Sequence, residues 1–391
     1  MTTTSTEIHG ICKDGFQRVK EAFASNFADH GDVGAALALV VDGEIVVDIW
    51  GGHADAQRTQ LWEQDTIVNV FSTTKGVVAT CANRLIEEGR LDPEAPVARY
   101  WPEFAQAGKE TLPVKYILNH RAGLPAIDNL LPREATYEWA PFIEALAAQK
   151  PWWEPGTKHG YHTVTFGHLV GELVRRVTRT SVGTYWRTEI AEPAGIDFHI
   201  GFGPELDGRC AEVIPAPLQM PDLNHPLGKA ILDPSSITFK SYMVTPEPML
   251  NPAYMNSRQW RGAEIPAGNG HGNARALARM YGALATGGSI DGFQILASST
   301  VVEASMEQSY GSDAVVFYPT RFGRGYALAV PEYALNQGST LFGHGGLGGS
   351  FGYADPVARL GFSYTMNKMI SSPVDIDPRW RAMFDSVYAS L

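Results

Sequence analysis

Cysteine is scarce. The chain has three in 391 residues, Cys12, Cys81 and Cys210, far apart and odd in number. That fits a reduced compartment better than a disulfide framework. Basic residues are outnumbered, 31 Lys and Arg against 42 Asp and Glu, for a net charge of −11. With no basic run to offset it, this balance argues against a nucleic-acid backbone or an anionic membrane surface as partner. No uninterrupted apolar run is long enough to cross a bilayer. The opening MTTTSTEIHG lacks the basic-then-apolar order of a secretory signal, so a cytoplasmic address is expected; a mature chain stripped of its signal would read the same way. Fixed-period repeats and low-complexity segments are also missing. What is present is an ordinary globular composition, 44% hydrophobic and 19% charged, in a chain long enough for a large core and two lobes.

Local patterns place the elements. Phe16, Val19, Phe23 and Phe27 mark one face of an opening helix. AALALVV (35–41) and EIVVDIW (44–50) flank Asp42-Gly43, a hairpin signal, and the first is apolar throughout, as a strand buried on both faces would be. After Ser72, Val77, Val78, Cys81, Leu85 and Ile86 share a helical face, with Gly89 as the stop. A second amphipathic helix begins near Thr165, carrying Phe166, Leu169, Val170, Leu173, Val174 and Val177. Residues 360–367 alternate like a strand, and Asp377-Pro378 caps a last helix with Trp380, Met383, Phe384, Val387, Tyr388 and Leu391. Strands therefore sit near both chain ends, with helices and irregular chain between. From Ile214 to Pro266 prolines are dense and periodicity fails, which suits a pocket wall or lid better than a spacer.

Two serines compete for a nucleophile's role. Gly348-Gly349-Ser350-Phe351-Gly352 matches the G-x-S-x-G elbow, which needs a helix after the serine and a histidine downstream. A turn and another strand follow instead, and His344 is the last histidine. The rival is Ser72-Thr73-Thr74-Lys75, the one S-x-x-K in the chain. Residues three apart on a helix share a face, so the ammonium reaches the hydroxyl. A helix N-terminus also favours a developing alkoxide.

In order along the chain come Ser72-x-x-Lys75, Ile117-Leu118-Asn119-His120-Arg121-Ala122-Gly123-Leu124, Pro155-Gly156-Thr157 shortly before Tyr161, and Gly343-His344-Gly345-Gly346. This set resembles the serine hydrolases of the class C β-lactamase and penicillin-binding-protein type, and among these the family VIII carboxylesterases. The resemblance spans residues 34 to 367. It implies an α/β fold of α+β type: an antiparallel sheet flanked by helices, built from both chain ends, with an inserted, mostly helical second lobe. The boundaries expected are 1–95 with 265–391 for the α/β domain and 96–264 for the helical, loop-rich one. It further implies Ser72 as nucleophile, Lys75 as its proton partner, Tyr161 as general base or proton shuttle, and an oxyanion hole from the backbone N–H groups of Ser72 and Leu347. Tyr254-Met255-Asn256 fits the family's Y-x-N better by letters than Tyr161-His162-Thr163. Position after P-G-T and before a strong helix favours Tyr161.

The departures from the family pattern bear on substrate. His344-Gly345-Gly346 stands where β-lactamases carry Lys-Thr-Gly, and Thr163 stands where Asn is usual. Both changes weaken the case for a lactam or peptide and leave acyl transfer intact. The expectation is a carboxylesterase acting on small to medium esters, with no cofactor, no metal, and neither nucleic acid nor membrane as partner. A β-lactamase or D-amino-acid amidase, an acyltransferase and a non-turnover penicillin-binding sensor are the alternatives. Trp152 and Trp153 line an acyl pocket or belong to the core; His162 lies near the site; His344 is a substrate contact or a satisfied loop histidine. His120 and the segment 268–279 read as structural.

Overall fold

The computed structural model describes the chain except residues 1–5, 218–219, 246–250, 334, 336–339 and 371–376. Nine strands form one antiparallel sheet in the order Ile8–Cys12, Glu44–Gly52, Gly34–Val41, Leu360–Met366, Phe351–Asp355, Phe342–Gly345, Ala327–Leu328, Pro319–Phe322 and Ser309–Ser312. The two chain ends thus interleave: Gly34–Val41 pairs along its whole length with Leu360–Met366. Asp42 and Gly43, both at positive φ, close the hairpin between 41 and 44.

Both faces of the sheet are covered, which explains the apolar run at 34–41. On one face, helices Gln17–Ser25 and Pro378–Tyr388 pack Val19, Phe23, Met383 and Phe384 on Leu37, Leu39, Val47, Phe362 and Tyr364. Each such side chain contributes ~1.5–3 kcal/mol by leaving water. On the other face lies helix Ala274–Ala285, set by the Asn273 side chain accepting from Ala276 N. Here the strand at 360–366 presents Gly361, Ser363 and Thr365, all buried. A Cβ at Gly361 would lie 2.2 Å from Gly282 N, so glycine lets helix and sheet touch. The polar alternation of that strand therefore marks a small-residue helix seat and not a solvent face.

The intervening chain is helical and loop-rich, with Trp139–Ala148 and Thr165–Thr178 its longest helices. Helix Thr74–Glu87 is buried between this part and the sheet, and one apolar cluster joins Val77 and Leu85 to Leu169, Leu173, Leu277 and Tyr281. The expected lobes share that core. The proline-dense stretch carries several short helices, of which Ile237–Tyr242 packs Ile237 against the cluster holding Trp153 and Tyr161.

Candidate active site

Ser72 sits in a single 3-10 turn, Phe71–Thr73, that runs straight into helix Thr74–Glu87. Phe71 takes a positive φ of 45°, uncommon for an aromatic residue, and this sharp entry sets the hydroxyl at the helix start. One turn on, Lys75 Nζ lies 2.9 Å from Ser72 Oγ and donates to Ala267 O at 3.0 Å. Lys75 is fully buried, and among the described residues no carboxylate pairs with it. Burial without a counter-ion pushes its pKa well below the ordinary 10.5.

Tyr161 comes from the loop before helix Thr165–Thr178. Lys75 Nζ lies 4.9 Å from its ring centre. Burial raises the phenol above its ordinary 10.0, the neighbouring Ser72 side chain opposing this in part. Ser72, Lys75 and Tyr161 therefore meet in space. Tyr254 stands elsewhere, under the Arg133 guanidinium, while its neighbour Asn256 is bonded to Val213.

Histidines shape the loop that delivers Tyr161. His162 is buried, donates from Nδ1 to Gly160 O at 2.7 Å and accepts Leu124 N at Nε2, 3.1 Å away. His120 Nδ1 accepts His162 N at 3.1 Å, and its ring packs between Tyr161, Phe166 and Phe322. Burial holds His162 neutral, its pKa lowered to about 4. Asp313, absent from the sequence reading, accepts from Tyr161 N at 3.0 Å, from Val315 and Val316 N, and from the Thr320 hydroxyl. It is 152 residues from Tyr161, and its bonds to Val315 N and Val316 N, two and three residues on, give no local signal of that distant partner.

Gly346 brings the third motif against the serine turn. A Cβ there would lie 2.2 Å from Val70 O and 2.9 Å from Thr73 Oγ1, so only glycine permits the approach. Ser350 is the clasp: fully buried, its hydroxyl donates to Val70 O at 2.8 Å. Between them the loop is pinned by Gly346 N to Ser350 O, 2.6 Å, and Gly349 N to Gly346 O, 3.1 Å. Leu347, 42% exposed, stands at the tip, and among the described residues no acceptor is paired with its N–H. Gly345 lies on the Trp380 ring. His344 Nδ1 donates to Gly345 O at 2.6 Å, which leaves Nε2 a buried acceptor without a partner. Burial and Lys75 lower its pKa to about 3, so this imidazole is neutral. Trp153, with Val315, Val316, Ile237 and Tyr318, builds an apolar wall beside Tyr161; Trp152 flanks it and donates to Ala126 O at 3.3 Å.

Among the described residues no helix is long and apolar enough to cross a membrane. The chain is similar to the esterase/β-lactamase LipL of Mycobacterium tuberculosis, at 36% identity over 95% of this chain and 85% of LipL. A crystal structure of a family VIII carboxylesterase superposes with a TM-score of 0.89 at 40% identity, covering 98% of this chain and all of that one. A penicillin-binding protein homologue from Caulobacter crescentus gives 0.88 at 38% identity, with 99% and 100% covered. The Beta-lactamase family model matches residues 19–384, enclosing every strand of the sheet but Ile8–Cys12 and every residue of the site. With its sheet built from both termini and a serine and lysine one helical turn apart, the chain belongs to the β-lactamase family.

Proposed function

We propose that this protein is a serine carboxylesterase that works through an acyl-enzyme on Ser72. One observation carries the reading: the Lys75 amine, buried without a counter-ion, lies 2.9 Å from the Ser72 hydroxyl. A neutral amine with one N–H on Ala267 O keeps its lone pair for the serine proton. Ser72 Oγ attacks the ester carbonyl as its proton passes to Lys75. The N–H groups of Ser72 and Leu347 hold the oxyanion. Tyr161, kept protonated by burial, delivers its proton to the departing alkoxide and is reprotonated from Lys75. Water then attacks the acyl-enzyme by the same route in reverse, releasing the acid and restoring Ser72.

Ester is favoured over lactam because His344 is neutral where a substrate carboxylate would need a cation. Trp153 and its neighbours, with Trp152 at their edge, form the acyl wall. Gly345 and Gly346 act by letting the loop seat on Trp380 and on the serine turn, and His162 acts by positioning Tyr161. Three free thiols, Cys12, Cys81 and Cys210, suit a reducing cytoplasm.

The test is turnover of p-nitrophenyl butyrate and of nitrocefin by the wild type, Ser72→Ala and Ser350→Ala. Ser72→Ala is expected to lose about 10⁴-fold or more in kcat, Ser350→Ala far less, and nitrocefin to trail the ester in kcat/KM. Undiminished turnover by Ser72→Ala defeats the proposal.

A further inference from the structure

The C-terminal helix reaches back to the loop that carries Leu347. Arg379, on its first turn, is fully buried, and each of its five N–H groups has an acceptor. Nε and one Nη2 hydrogen go to Asp377, Nη1 goes to Asp32 at 2.9 Å and to Lys368 O at 3.0 Å, and the last Nη2 hydrogen goes to Gly348 O. Next to it, Trp380 Nε1 donates to Gly349 O at 2.7 Å while its ring underlies Gly345. A Cβ at Gly349 would overlap the guanidinium, so the loop lies directly on the charge.

The bonds run in series. Arg379 donates to the Gly348 carbonyl. The N–H of that same peptide unit belongs to Gly349 and donates to Gly346 O at 3.1 Å. The peptide unit of the Gly346 carbonyl ends in the N–H of Leu347. A fixed positive charge thus stands at the head of two aligned peptide dipoles whose far end is that N–H. Hydrogen bonds in such a chain polarise one another, and low dielectric strengthens the effect. Burial works to lower the Arg379 pKa, but Tyr364, Asp377 and Asp32 outweigh it and keep the guanidinium charged.

We propose that Arg379 and Trp380 are positioning residues for the reaction: they clamp the 346–350 loop, and Arg379 polarises the Leu347 N–H as an oxyanion donor. This rests on the assignment of Ser72 and Leu347 made above. The arrangement adds stabilisation only when negative charge develops on the substrate oxygen, so it belongs in kcat and not in KM.

The experiment uses the full chain, with Trp380→Phe, Arg379→Lys and Arg379→Met beside Ser72→Ala. It reads kcat and KM for p-nitrophenyl butyrate well below each variant's Tm, and Ki for phenylboronic acid, which forms a tetrahedral adduct on serine. Losing one oxyanion donor outright costs about 10²–10³ in kcat, so a donor loosened or depolarised is expected to cost about 10-fold in Trp380→Phe and somewhat more in Arg379→Met. KM should hold within about threefold and the boronate Ki should rise in step with the kcat loss, as differential transition-state binding requires. Arg379→Lys, which keeps the charge, should recover part of the Arg379→Met loss. Should Arg379→Met fail to fold, Trp380→Phe and Arg379→Lys decide. Folded variants with wild-type kcat, or with kcat and KM moving together, overturn the clamp alone. Full turnover by Ser72→Ala overturns the nucleophile assignment and the clamp with it.

Discussion

Two basic side chains, Lys75 and Arg379, are both fully buried, yet they differ in company. Lys75 meets a hydroxyl and a carbonyl oxygen. Arg379 meets two carboxylates, Asp32 and Asp377. Desolvation penalises charge in both places, but only at Arg379 is it offset by opposite charge. The amine is driven toward neutrality, and the proposed mechanism uses it as a base; the guanidinium, which does not give up its proton, stays a fixed charge. Burial thus makes one residue reactive and the other architectural, and the counter-ions decide which.

The sharpest way to break this comparison is to remove each residue in turn. Lys75→Met, close in volume and needing no hydration, is expected to lower kcat on p-nitrophenyl butyrate by about 10³–10⁴. Thermal melting should show stability unchanged or raised, because an uncompensated buried amine is gone. A large drop in Tm with most activity kept would mean the roles are misassigned. Arg379→Met should do the reverse in rank: it strands Asp32 and Asp377, and the urea-unfolding free energy is expected to fall by about 3–5 kcal/mol. Its kcat loss should stay well short of that of Lys75→Met.

The smallest effect is in pH. A pKa lowered below the ordinary lysine value means the amine is free at correspondingly lower pH, so kcat/KM should rise along one acid limb below pH 10.5 and then level. Tyr161 is raised, so no descending limb should appear at or below the ordinary phenol value of 10.0. A profile falling between neutrality and pH 10 would mean that the phenol gives up a required proton in that range, against the upward shift that burial imposes. Arg379, charged throughout, should leave no limb in the same measurement.

Legibility of the molecule follows sequence separation. Ser72 and Lys75 can be read together because three residues are one helical turn, and the same local rule yields helices 74–87 and 165–178 and the 41–44 hairpin. Ser350 can be set aside by what does not follow it, and its buried bond to Val70 O accords with a clasp. Tyr161 is reached only through resemblance, since nothing in Tyr161-His162-Thr163 says that it folds against residue 72. The alternation at 360–366 predicts a strand but hides that its Ser and Thr face seats a helix. Asp313 and Arg379 escape altogether: an acidic residue in a loop and an arginine in a last helix look like surface until their partners arrive.

The sequence alone determined the spacing of hydroxyl and amine, the strand-bearing ends and the family, because these depend on residues within a turn of one another or on an ordered set of motifs. Tertiary structure alone decided the downward shift of the Lys75 pKa, the carboxylates around Arg379 and the path from that guanidinium to the Leu347 N–H. Those depend on desolvation and on contacts between residues tens to hundreds of positions apart, such as Asp32 with Arg379 across 347. A pKa belongs to an environment, and no stretch of sequence contains one.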